Sequence, residues 1–208
     1  LSGTARVRKA PPRAWQRMLS GRRLNILDPS PLDIEIRDIA HGLARVARWN
    51  GQTVGEHSFS VAQHSLLVDR IVGLIAPASP ADHLAALLHD APEYVIGDII
   101  SPFKSVIGEA YKTVEARIEH AIHLRFGIPY DPDGRCKRLI KSADTVAAYF
   151  EAVALAGFAP DEARRFFGNP QVSETDIAAY LAPWPTGKAQ AAFLARFAEA
   201  EAAFAAAE

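Results

Sequence analysis

The sequence predicts an all-α protein, a helical bundle, on three observations. Apolar residues recur at helical spacing over long stretches, strand-like alternation is confined to a few positions, and helix start and stop residues bracket the periodic stretches. With 208 residues the chain is long enough for one domain with a sizeable core. The expected organisation is a basic N-terminal arm over 1–27 and a single helical domain over 28–208 that closes with a C-terminal helix.

The elements follow in order. Ile34 and Ile36 alternate with acids, which predicts at most a short extended piece between Asp33 and Ile39. After Asn50-Gly51, Phe59, Ala62, Leu66, Ile71 and Ile75 predict a long helix that His57 opens. Ser79-Pro80 reads as an N-cap with proline in the first turn. The helix it starts turns Leu84, Leu87 and Leu88 inward and meets Pro92. Ser101-Pro102 repeats the start signal for a helix that Gly127 ends. A further helix runs from about Arg135 to Gly157 on Leu139, Ile140, Ala143, Ala147, Phe150 and Ala154. Ser173 with Asp176 starts a short helix that stops before Pro183. From Lys188 on, an Ala-rich amphipathic helix carries Phe193, Leu194 and Phe197 on one side. That face either packs on its own domain or pairs with a second copy, so a homodimer stays open.

Composition narrows the class. A net charge of −1 gives no overall attraction to nucleic acid or to a membrane surface. The distribution is uneven: Arg6, Arg8, Lys9, Arg13, Arg17, Arg22 and Arg23 precede Asp28 with no acid among them. Such an arm could attract a phosphorylated substrate or a nucleic acid, although a solvated terminal segment is the plainer reading. The single cysteine, Cys136, excludes an intrachain disulfide. No apolar run approaches the roughly 18 residues that cross a bilayer. No secretory pattern opens the sequence as given, so the cytoplasm is the expected compartment.

Chemistry concentrates in one stretch. His89-Asp90 ends the apolar run Leu84–Leu88, and Glu93 and Asp98 follow within ten residues. Carboxylates in such surroundings neutralise, pair with a cation or bind a metal. His57 before one helix and Asp144 within an apolar one complete a set of two imidazoles and two carboxylates. Mixed nitrogen and oxygen donors suit Mn, Fe, Co, Ni or Zn, with Mg less natural. The plainer alternative is a buried histidine–carboxylate hydrogen-bond network. His64, two helical turns after His57, reads as packing or as support for the ligands. His41, His83, His120 and His123 carry no comparable signal, and neither a Gly-rich phosphate loop nor a Ser-His-Asp order stands out.

Taken together, Glu56-His57-Ser58, Leu88-His89-Asp90-Ala91-Pro92-Glu93, Gly97-Asp98, Ser101-Pro102-Phe103-Lys104 and Lys141-Ser142-Ala143-Asp144 resemble the H…HD…D pattern of the HD-domain metal-dependent phosphohydrolases. Within that superfamily the chain is most similar to the bacterial 5′-deoxynucleotidases and their uncharacterised relatives. The resemblance spans roughly Arg48 to Leu155 and implies an HD-domain helical bundle. It implies one divalent ion held by His57, His89, Asp90 and Asp144, with Glu93 and Asp98 acting in water activation or leaving-group protonation. It also matches Arg48-Trp49 to a pair that contacts phosphate and sugar, and Lys104 is a second candidate cation for the phosphoryl oxygens. Trp49 lies only eight residues before His57, a shorter connection than in the deoxynucleotidases. The expected activity is hydrolysis of a small phosphorylated substrate, a nucleoside 5′-monophosphate above all. Another phosphoester, or nucleotide sensing without turnover, stands as the alternative.

Overall fold

The computed structural model describes residues 13–100, 103, 104, 106 and 108–207. It is all-α apart from one small hairpin, in keeping with an HD-domain fold. Arg6, Arg8 and Lys9 of the basic arm lie outside the described residues, as do Ser101 and Pro102.

The second half of the expected arm is packed. β1 (Trp15–Arg17) pairs antiparallel with β2 (Arg23–Asn25), with Gln16 opposite Leu24. Period-two geometry turns Leu24 into the core, where it is fully buried, while Arg23 and Asn25 face outward. Ser20 pins the turn to the first helix, its amide donating to Asp38 Oδ1 at 2.9 Å. Of the extended piece expected between Asp33 and Ile39, only Ile34 and Glu35 are extended, between a 3-10 turn (Pro31–Asp33) and a helix, α1 (Ile36–Leu43). Its Ile36, Ile39, Ala40 and Leu43 lie at helical spacing, and that stripe outweighs the two-residue alternation at its start.

α2 (Val61–Ile75) is the central helix and is buried along nearly its whole first half. It starts at Val61, later than the sequence suggested, because Ser60 is extended and its Oγ accepts from the Gln63 amide at 3.2 Å. α3 (Pro80–Leu87) opens with the expected cap, a reciprocal box between Ser79 and Asp82. After a short α4 (Glu93–Ile96) come α5 (Glu109–Phe126), ended by left-handed Gly127, and α6 (Arg135–Ala154). α7 (Pro160–Phe167) was not anticipated, and α8 (Thr186–Ala205) closes the chain. Between them, the segment after Ser173 forms two 3-10 turns rather than an α-helix.

Two apolar groups flank α2. One joins Leu24, α1, α3, α5 and α8 around Leu84, Ile118 and Phe193; the other joins α2 to α6 and α7 around Phe59, Ile71 and Phe150. α8 buries Ala189, Phe193, Phe197 and Ala200 against α3, α1 and α2, so its apolar face is covered by its own domain. Fully burying a side chain such as Phe193 contributes on the order of 2–3 kcal/mol. No described helix is long and apolar enough to cross a membrane.

Candidate metal centre

α2, the turn after α3, and α6 converge where the two apolar groups meet. His64, one turn into α2, is fully buried. Its Nδ1 lies 2.5 Å from Glu151 Oε1, and its Nε2 lies 3.4 Å from both Asp90 Oδ2 and Asp144 Oδ1. His89 follows the end of α3, where its Nδ1 is 2.7 Å from the Ala86 carbonyl. Because a carbonyl can only accept, Nδ1 carries the hydrogen in that contact, and Nε2 is the nitrogen that could be offered to a metal. That Nε2 lies 3.3 Å from Asp90 Oδ2, and the two imidazole rings are 5.3 Å apart. Both Nε2 atoms are buried without a hydrogen-bond partner. Two orphaned imidazole nitrogens facing two carboxylates are the donor set that a divalent cation satisfies. Among the described residues, His64, His89 and Asp90 form the group whose donor atoms lie within 4.8 Å of one another, and Asp144 adjoins it.

His57 does not join this group. It lies on the loop before α2, partly buried, because Ser60 holds the chain extended until Val61. His64 stands in the position the sequence had suggested for His57. The signal was present in the short connection after Trp49, which becomes 15 residues when counted to His64. Glu151 was missed altogether: it sits two turns after Asp144 on the same face of α6, hidden in an apolar run.

The remaining candidates surround the group. Arg48 and Trp49 lie on a 3-10 turn in which Trp49 and Asn50 adopt positive φ. The Arg48 guanidinium sits among Asp90 (3.4 Å), Glu151 (3.5 Å), Asp98 (3.9 Å) and Asp144 (4.0 Å). Trp49 donates from Nε1 to Glu151 Oε2 at 2.9 Å and packs its ring on Phe158 and Phe167. Glu93 starts α4, is almost fully buried, and has one carboxyl oxygen without a partner. Lys104 reaches between two acids, 3.9 Å from Glu93 and 3.3 Å from Glu115.

Charge state separates the acids. Burial raises the Asp90 carboxyl, but the imidazoles of His89 and His64 more than offset this and hold it well below the usual carboxylate range. Burial also opposes ionisation of Asp144, and its contact with His64 again prevails. Glu93 goes the other way: burial, then the charges of Asp90 and Asp98, push it up to about 9. Burial raises Asp98 as well. Beside His89 and Asp144 opens a cavity of about 700 Å³, bordered by Lys141, His120, His123 and Tyr130.

A family model described as "5′-deoxynucleotidase YfbR-like" matches residues 39–159, over half of the chain. The chain belongs to this YfbR-like family. The match covers the 3-10 turn at Arg48, α2, α3, α4, α5 and α6, and so the whole group just described. An uncharacterized protein of Rhodobacter capsulatus is 56% identical over 189 residues, covering 88% of this chain and 94% of its own. The uncharacterized Escherichia coli protein YfdR is 37% identical over 97 residues, about half of either chain. A Shewanella oneidensis protein named 5′-deoxynucleotidase is 32% identical over 120 residues, 49% of this chain and 61% of its own.

Proposed function

We propose that this YfbR-like protein is a metal-dependent phosphomonoesterase that hydrolyses nucleoside 5′-monophosphates, deoxyribonucleotides among them, to nucleoside and phosphate. Its ion is held by His64, His89, Asp90 and Asp144. The observation that carries the reading is the pair of partnerless imidazole nitrogens facing the carboxylates of Asp90 and Asp144. Family membership and the name of the Shewanella relative supply the substrate class.

A divalent ion at such a set acts as a Lewis acid and makes water a nucleophile near neutral pH. The chain does the rest. Arg48, held protonated among four carboxylates, is placed to offset charge on the phosphoryl oxygens. Beside it on the 3-10 turn, Trp49 packs its ring on Phe158 and Phe167 and braces the arginine. Glu93, whose carboxyl burial and the neighbouring Asp90 push up, is placed to give a proton to the 5′ oxygen as the phosphorus–oxygen bond breaks. Asp98, within 3.9 Å of Arg48, orients the guanidinium, and Lys104 adds a cation on the Glu93 side. The cavity beside His89 and Asp144 is large enough for a nucleoside.

The test is phosphate release by metal-stripped protein resupplied in turn with Mn, Co, Ni, Zn and Mg, on ribo- and deoxyribonucleoside monophosphates and an aryl phosphate. Metal-dependent release that His89→Ala abolishes is the expected result. No release with metal bound would redirect the search to another phosphoester. A protein that binds no divalent ion would overturn the reading.

A further inference from the structure

We propose that Glu151 is a positioning residue that locks the His64 imidazole with Nε2 toward the cation and, through the same carboxylate, ties the Arg48-Trp49 turn to that ligand. The inference rests on the proposed function in requiring a cation at His64.

Glu151 has no solvent exposure, sits on an otherwise apolar stretch of α6, and lies outside the direct ligand set. A carboxylate so placed is retained only if its oxygens are well satisfied. They are: Oε1 takes the His64 contact at 2.5 Å, while Oε2 accepts from Trp49 Nε1 at 2.9 Å and from Arg48 Nη2 at 3.5 Å. With a metal on Nε2 the imidazole hydrogen sits on Nδ1, and the Glu151 oxygen facing Nδ1 is placed to accept it. Nε2 is the nitrogen that points at Asp90 and Asp144. A histidine ligand that donates its second nitrogen to a carboxylate is both oriented and made more basic.

The other oxygen acts on the substrate side. Trp49 and Asn50 hold φ of +56° and +51°, a region that residues other than glycine rarely occupy. The indole N–H on Glu151, together with ring contacts to Phe158 and Phe167, keeps that turn in place. One buried carboxylate therefore serves the metal ligand and the phosphate-facing arginine at once. Glutamine cannot replace it. Its single amide oxygen would face three donors, and its NH2 would be turned against one of them.

The experiment measures zinc binding to the metal-stripped full chain by calorimetry for wild type, Glu151→Gln and Glu151→Asp. Long-range 15N correlations of the zinc-loaded proteins then read which His64 nitrogen carries hydrogen. Glu151→Gln is expected to weaken zinc binding by about 10–100-fold and to lose the single Nδ1–H form of His64 while still unfolding cooperatively. Glu151→Asp keeps the charge but draws the carboxylate back by one methylene, so it too should bind zinc more weakly. It decides the matter if the Gln variant does not fold. Zinc affinity within twofold of wild type in the folded variant overturns the assignment. Absence of zinc binding in the wild type instead overturns the parent reading, and this one with it.

Discussion

Nδ1 of His64 and Oε1 of Glu151 meet at 2.5 Å across 87 residues of sequence, both shut away from solvent. The pair fixes which of two nearby histidines faces the acids. His64→Ala is expected to abolish stoichiometric binding of Mn or Zn, measured by calorimetry or metal analysis after dialysis. His57→Ala, on the loop before α2, should leave the affinity within about twofold, since a loop histidine outside the donor set supplies no ligand. The reverse pattern would restore His57 to the site.

Glu93 and Asp90 are three residues apart and their carboxyls are driven in opposite directions, Glu93 up to about 9 and Asp90 well below the usual range. A proton donor contributes about 10²–10⁴-fold to the chemical step. Glu93→Gln keeps the shape and removes the proton, so kcat should fall within that range while metal content and KM change little. Undiminished kcat would remove Glu93 from the reaction.

How much of this was legible follows from the kind of signal each residue leaves. His89, Asp90 and Asp144 announce themselves as polar residues on apolar helices, and the structure brings them together. His57 and His64 share a helical face by spacing, so choosing between them depended on where α2 begins. The capping contact from Ser60 sets that boundary, and two nearby serines make it ambiguous in sequence. Glu151 carries the same signal as Asp144, an acid on the apolar face of α6 two turns on, but it belongs to no motif; the crossing of α2 and α6 buries it. The α1 stripe and the proline-to-glycine frame of α7, Pro160 to Gly168, were readable and were passed over.

The capping box of α3 gives a pH-dependent prediction. Burial opposes ionisation of Asp82, but its bonds from Arg135 and from Ser79 prevail and hold its carboxyl below the usual range. A depressed carboxylate contributes stability that is present above the unfolded-state pKa, about 3.9, and is lost as pH falls through the folded value. Asp82→Ala should cost about 1 kcal/mol at pH 7 through the hydrogen bonds it loses to Ser79. The gap in unfolding temperature from wild type should narrow steadily below about pH 4. A gap independent of pH would mean that the charge of Asp82 contributes nothing.

Gly42 sets helix propensity against packing. It lies inside α1, where alanine is ordinarily better by about 1 kcal/mol. A Cβ there would stand 2.8 Å from Tyr94 Cβ, 2.9 Å from the Tyr94 carbonyl oxygen and 3.0 Å from its Cα. Two of these atoms are backbone, so no rotamer change relieves the overlap, and α1 and α4 must separate. Overpacking of this kind costs about 1–3 kcal/mol, enough to cancel or reverse the propensity gain. α4 is four residues long and begins at Glu93, with Tyr94 the next residue, so the displacement reaches the proposed proton donor directly. Gly42→Ala should therefore lower kcat by more than its small change in unfolding temperature suggests, with metal affinity held near wild type by His64, His89 and Asp144. A more stable and fully active variant would show that α4 yields without moving Glu93.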